Sequence, residues 1–320
     1  MLDVFVTFDV EVWCDGWNNL DARFPAAFQK YVYGSTVRGQ YGLPFALAQL
    51  SEHGLLGVFF VEPLFAARFG LDPLAEIVGI LQEAAQEIQL HLHTEWVDEA
   101  RVFSLLPISA KRQFLTYFSA AEQTFLIRAG IDFLDSVQAG GINAFRAGSF
   151  AFNLDTLAAL KANGVAFDSS YNASTSGLSS GIMPGGQIVE PIEFDEVYEY
   201  PITVFNDGTS SLRPVQVTAC SYSEMEALLW QALEAERKAF VILSHNFELL
   251  NRAKDWPDNI VVQRFRRLCQ FLDRNRDCFR VRGFRGLQPT VATLQPAPLV
   301  SPIWKTGIRT LQQILRRGYG

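Results

Sequence analysis

The sequence predicts an α/β fold built on parallel strands, a distorted (β/α) barrel, from three observations. Short apolar runs rich in β-branched and aromatic residues alternate with helical patterns along most of the 320 residues. These runs show little polar alternation, as strands covered on both faces do. The length suits a single barrel of roughly 200–300 residues, and a chain that is 49% hydrophobic and 19% charged can bury a large core. An open doubly wound sheet is the alternative architecture. No G-x-G-x-x-G follows the first strand, so a dinucleotide site has no support.

The elements follow in order. DVFVTFD, from Asp3 to Asp9, reads as a buried strand. Leu43 to His53 has helical spacing and stops at Gly54. GVFFV, from Gly57 to Val61, is the next strand, stopped by Pro63. Leu74 to Ala85 is a helix that feeds a strand from Ile88 to His93. Ala110 to Ala129 is a long helical pattern ending at Gly130, followed by a short strand from Ala144 to Arg146. Asn153 is an N-cap for a helix that stops at Gly164. Val165 to Phe167 is a strand, and Ser174 to Gly186, rich in Ser and Gly, is a loop. Met225 to Arg237 is a helix before AFVILS, from Ala239 to Ser244. Val261 to Asp273 is the last helix before a strand from Cys278 to Val281. The expected organisation is a barrel over 1–285, a Pro-rich linker over 286–302 and an amphipathic helix over 303–320.

A net charge of −7 with scattered Lys and Arg lacks the basic footprint of a nucleic-acid binder. The four cysteines, Cys14, Cys220, Cys269 and Cys278, are far apart and read as reduced thiols. The opening MLDVFVTFDVE enters a strand at once, without a basic–apolar leader, which reads as a cytoplasmic chain. The last helix places Trp304, Ile308, Leu311 and Leu315 on one face, with Lys305, Arg309, Arg316 and Arg317 as its charges. It either packs on its own domain or makes a peripheral contact with the inner membrane face or a partner.

In a parallel barrel, catalytic groups gather where the strands end. The first strand ends with Asp9 and Glu11, two apart and therefore on one side if the strand runs through. The third delivers His91, His93 and Glu95 in the same alternation, within EIQLHLHTEW, in a chain with only four histidines. The fourth ends with Arg146, the fifth with Asp168, and AFVILS runs into His245, Asn246 and Glu248. Histidines with carboxylates match a divalent ion with N/O ligands, zinc being the default. A further carboxylate can take a proton from water, and a separate histidine can protonate a leaving group. Such a set hydrolyses an acyl bond, amide or ester.

In this order the residues resemble the polysaccharide deacetylase family of carbohydrate esterases. The resemblance runs over about residues 3 to 285. The family's first motif is Thr-Phe-Asp-Asp-Gly-like and here reads Thr7-Phe8-Asp9-Val10-Glu11. The resemblance implies that Asp9 is the general base and that Glu11 replaces the ligand that falls on Val10. The second motif, H-(S/T)-x-x-H, puts its histidines on His91 and Glu95, with His93 offered between them. The implied metal set is Glu11 and His91 with His93 or Glu95. The third motif is Phe145-Arg146-Ala147-Gly148-Ser149-Phe150, with Arg146 orienting the base and a backbone N–H near Phe150 helping to hold the oxyanion. The fourth is Asp168-Ser169-Ser170-Tyr171, with Asp168 pairing Arg146. The fifth is Leu243-Ser244-His245, with His245 as general acid. Trp13, Trp96 and Phe150 are the candidate substrate contacts.

The resemblance implies a metal-dependent hydrolase that removes acetyl groups from an N-acetylated glycan or glycan precursor. Two alternatives stay open: an inactive barrel that binds a glycan or a partner, and an amidase for a small non-sugar C–N bond.

Overall fold

The computed structural model describes residues 1–209 and 211–318. The chain divides into two compact units. The first comprises Met1–Gly57, Thr203–Arg282 and Ala297–Gly320; the second comprises Val58–Ile202 and Gly283–Pro296.

The first unit is organised by the strand Leu2–Val10, buried at nearly every position. It pairs in parallel with Ala239–His245, from Asp3 opposite Ala239 to Asp9 opposite His245, and with Phe279–Val281. Burial on both faces explains why Leu2–Val10 and Ala239–His245 lack alternation. The one hydroxyl inside the first strand, on Thr7, donates to the Ile242 carbonyl at 2.8 Å, so no buried donor is left over. Helix Asn259–Arg274 packs on this strand through an edge-on contact of Phe8 with Phe265. Its N-terminus is capped by the Asp258 side chain, which accepts from the amides of Ile260 and Val261. A small second sheet joins Val204–Asn206 to Leu212–Pro214 and to Leu299–Val300.

In the second unit Gly57–Val61, Glu87–Leu92, Ala144–Ala147, Phe167–Asp168 and Val197–Glu199 pair in parallel in that order, and Ile192–Phe194 closes the edge antiparallel. Helices Asp72–Glu83, Ala120–Ser136 and Leu154–Ala162 alternate with the strands. Asn153 caps the last of these, as its sequence position predicts.

Two expectations are corrected. The helix expected over Ala110 to Ala129 begins at Ala120 and continues to Ser136. Ser119 and Glu122 form a capping box that starts it there. Gly130 therefore lies inside the helix and does not end it. A Cβ at Gly130 would sit 2.8 and 2.9 Å from methyls of Leu92 and Leu90, so the glycine allows close helix–strand approach. The hairpin of Ile192–Phe194 and Val197–Glu199 was not expected. Its turn residues Asp195 and Glu196 both take positive φ, as a two-residue hairpin turn requires, without the usual Asn or Gly.

Within the second unit the Pro-rich stretch is tied down. The amides of Val189 and Glu190 donate to Gln295 Oε1 at 2.7 and 2.9 Å, and the Thr290 amide donates to the Tyr200 hydroxyl at 3.1 Å. Just before it, the buried Glu87 carboxylate accepts from the amides of Phe284 at 2.7 Å and Arg285 at 3.1 Å. A Cβ on Gly283 would lie 2.4 Å from the Glu87 carboxyl carbon. Gly283→Ala is expected to displace that carboxylate and strand two amides, at a cost of about 2–3 kcal/mol. Chemical denaturation of the variant checks this.

Candidate active site

In the first unit, parallel register brings Asp9 level with His245. Asp9 and Glu11 are both buried, and Glu11 lies one residue past the strand. Carboxylate oxygens of Asp9 and Glu11 and a ring nitrogen of His245 all lie within 4.8 Å of one another. His245 Nε2 is 3.9 Å from Asp9 Oδ2 and 3.9 Å from Glu11 Oε1. Three contacts fix Glu11: the Trp13 indole N–H donates to its Oε2 at 2.6 Å, its amide donates to Asn246 Oδ1, and Asn246 Nδ2 donates to its carbonyl. Asn246 thus clips the chain after the first strand to the chain after AFVILSH.

His245 is oriented from behind. Its Nδ1–H donates to Glu248 Oε1 at 2.8 Å. Glu248 is itself held by Ser244 and by the Gln216 amide. Burial alone would lower the imidazole's pKa. The Glu248 hydrogen bond and the charges of Glu248, Glu11 and Asp9 outweigh it and raise the value to about 9.

The second unit carries the paired histidines. His91 is in the strand Glu87–Leu92, and His93 follows it. Their rings meet edge-on with centroids 4.9 Å apart. His91 Nδ1 lies 2.7 Å from the Arg146 carbonyl, its neighbour across the parallel pair. A carbonyl only accepts, so Nδ1 carries the proton and Nε2 the lone pair. His93 Nδ1 faces Glu95 Oε2 at 3.2 Å. A Cβ on Gly148 would sit 2.8 Å from His93 Nδ1, so only glycine leaves room for that ring. Imidazoles oriented through Nδ1, together with a carboxylate, are a donor set that fits a divalent ion.

Arg146 is fully buried. It stacks over the Phe60 ring at 4.3 Å and donates to the Ser169 carbonyl and hydroxyl, each at 3.0 Å. Asp168 lies opposite Glu199 on the next strand. Burial raises the Asp168 carboxyl to about 6, against hydrogen bonds from Glu199 and Ser170 and the Arg146 charge. Burial and the Asp168 charge raise Glu199 well above its ordinary range. Two buried carboxyls facing each other hold one proton between them. After the Arg146 strand, Ser149 and Phe150 both take positive φ, 54° and 56°. Successive non-glycine residues in this region mark a backbone held for a purpose.

Among the expected substrate contacts, Trp13 and Phe150 are half-buried, and Trp13 meets Trp17 edge-on at 5.9 Å. Trp96 is placed otherwise than expected. It is 1% exposed and packs edge-on to Phe65 and Phe69, because the turn Thr94–Glu99 swings it inward. A cleft of about 520 Å³ in the first unit, lined among others by Cys14, Asp15, Arg23 and Lys30, continues the loop that carries Trp13.

Three carboxylates escaped the reading of the sequence or were given no role in it. Glu248 orients His245. Glu199 shares the Asp168 proton. Glu62 is buried, and burial pushes its carboxyl to about 8 against the nearby His93 and the amides of Leu64 and Phe65. Glu62 closes GVFFVE as Asp9 closes its own strand, so the strand-end rule had the means to find it. Because the folded pKa of His245 is raised, the pairing with Glu248 stabilises the protein fully below about pH 6.5, and that stabilisation is lost as pH rises through about 9. Glu248→Gln is expected to lower the His245 pKa from about 9 towards its ordinary value, read by NMR titration of the ring.

No protein-family model matches the sequence, and no curated protein does. Solved structures do match. A Mycobacterium smegmatis protein described as a polysaccharide deacetylase superposes with a TM-score of 0.56 at 18% identity, over 92% of this chain and 94% of that one. A family 4 carbohydrate esterase from Streptomyces lividans, in complex with acetate, gives 0.43 at 14% identity over 86% and 89%. A pseudoenzyme of the same esterase family from Bacillus anthracis gives 0.41 at 11% identity over 85% and 60%. The chain therefore has the α/β fold of the Mycobacterium smegmatis polysaccharide deacetylase structure, at an identity that speaks for the fold alone.

Proposed function

We propose that this chain is a metal-dependent hydrolase that removes acetyl groups from an N-acetylated glycan or glycan precursor. The observation that carries the reading is the hydrogen bond from His91 Nδ1 to the Arg146 carbonyl. It holds the ring by Nδ1 and turns Nε2 the other way, as the ligating histidine of a metal site is held, at the end of a parallel strand. The shared fold supports the same reading.

In this proposal Glu11, His91 and His93 hold a divalent ion, and Glu95 orients His93. Such an ion would supply polarisation of the acetyl carbonyl and a lowered pKa for the attacking water. Asp9 accepts the water's proton, and buried Arg146, steadied by Asp168, orients that base. The turn at Ser149 and Phe150 presents a backbone N–H to the developing oxyanion, a contribution of about 3 kcal/mol in comparable sites. His245 donates its proton to the leaving amine. With a pKa raised to about 9 it is protonated at neutral pH, as an acid must be. Glu248 keeps it so and aims Nε2 away from itself. Trp13 and Phe150 contact sugar rings, and the polar cleft of the first unit accommodates further residues of the glycan.

The test is acetate release from N-acetylglucosamine oligomers by the zinc-supplemented protein. Wild type is expected to release acetate, and Asp9→Asn and His245→Gln are each expected to lose about 10²–10⁴-fold in kcat/KM. Glycan binding with no acetate release from any N-acetylated oligomer would instead identify a binding barrel. Ammonia release from small ureides without acetate release would identify an amidase.

A further inference from the structure

The C-terminal helix Ile303–Gly318 is docked by its polar face. Arg309 is buried. It donates from Nη2 to Asp207 Oδ2 at 2.9 Å and from Nη1 to Glu224 Oε1 at 2.7 Å. Thr306 donates to the Asp207 carbonyl at 2.6 Å, Arg316 to Asp258 Oδ2 at 2.6 Å, and Lys305 to the Ser223 carbonyl at 2.8 Å. Burial would raise the Asp207 carboxyl, but its bonds from Thr209, Arg213 and Arg309 hold it below the ordinary carboxylate range. The helix is therefore locked in rotation by charged contacts. The side chain of Arg317 lies outside the described ones.

The opposite face is apolar and open. Ile303, Trp304, Ile308, Leu311, Ile314 and Leu315 are between 43% and 65% exposed. An amphipathic helix in a globular protein normally buries this face and solvates the other. Here the order is inverted, and rolling the helix over would break the buried ion pairs.

Two features decide what covers the face. The first is area. Sixteen residues make a helix about 24 Å long and about 10 Å wide, a strip on the order of 250 Å². A stable protein interface needs about 800 Å² per partner, so a second copy docking through this strip alone falls well short. The second is the rim of the face. Arg309 and Arg316 are engaged by Asp207, Glu224 and Asp258 on the docked side, and no Asp or Glu lies between Gly286 and Gly320 to repel a headgroup layer. The Lys305 ammonium sits 5.4 Å from the Trp304 ring at the edge of the apolar face. A tryptophan and a lysine at the rim of an apolar strip are the residues that settle at a lipid headgroup layer.

We propose that this face docks in the plane of a lipid bilayer surface. The helix lies on the surface; among the described residues no helix is long and apolar enough to cross a membrane. The proposal is independent of the deacetylase reading.

The full chain is sedimented with vesicles of phosphatidylethanolamine and phosphatidylglycerol. Wild type is expected in the pellet. A Leu311→Glu, Ile314→Glu double variant, altered only at exposed positions, is expected to partition at least about tenfold less. An unchanged circular dichroism spectrum and thermal midpoint would show that the variant is folded. Wild-type protein that stays in the supernatant would overturn the proposal. So would a double variant that pellets like wild type. A wild-type dimer in solution that the double variant dissolves would assign the face to a second copy and also overturn it.

Discussion

Neighbouring strands of a parallel pair end on the same side, and the residues that follow each apolar run become neighbours in turn. The candidate residues of each unit rest on this constraint. In the first unit it sets Asp9 opposite His245. In the second it sets His91 opposite Arg146 and Asp168 opposite Glu199. Hydrophobic burial of the strand interiors drives the pairing, and the pairing then takes titratable groups out of water. Such groups are tolerated there because each meets a partner.

The partners also set protonation. His245 and His91 are both histidines at strand ends, yet their surroundings divide them. A carboxylate behind His245 keeps it charged. A backbone carbonyl behind His91 accepts from its Nδ1–H, which fixes the direction of the ring without adding a full charge. In the proposed mechanism the first is the proton donor and the second a ligand.

Much of this was legible in the sequence, for a definite reason. An apolar run that ends in Asp, His or Arg identifies itself, so Asp9, Glu11, His91, His93, Arg146, Asp168 and His245 could all be singled out as strand-end groups. What stayed hidden depended on distant segments or on turns. The hairpin that brings Glu199 against Asp168 turns through Asp195 and Glu196, which carry no turn signature. Trp96, a candidate substrate contact, is buried against Phe65 and Phe69 by a short turn that has no periodic signal. The apolar face of the last helix was plain, but which face docks was decided by Asp207 and Glu224, about a hundred residues away in the chain.

The central claim is that His91 is a ligand for a divalent ion and that its strand end is organised around that role. Metal analysis of the purified protein tests it most directly. The account predicts about one equivalent of zinc or a similar divalent ion per chain, lost from a folded His91→Ala variant. Full retention of the ion in that variant would contradict it.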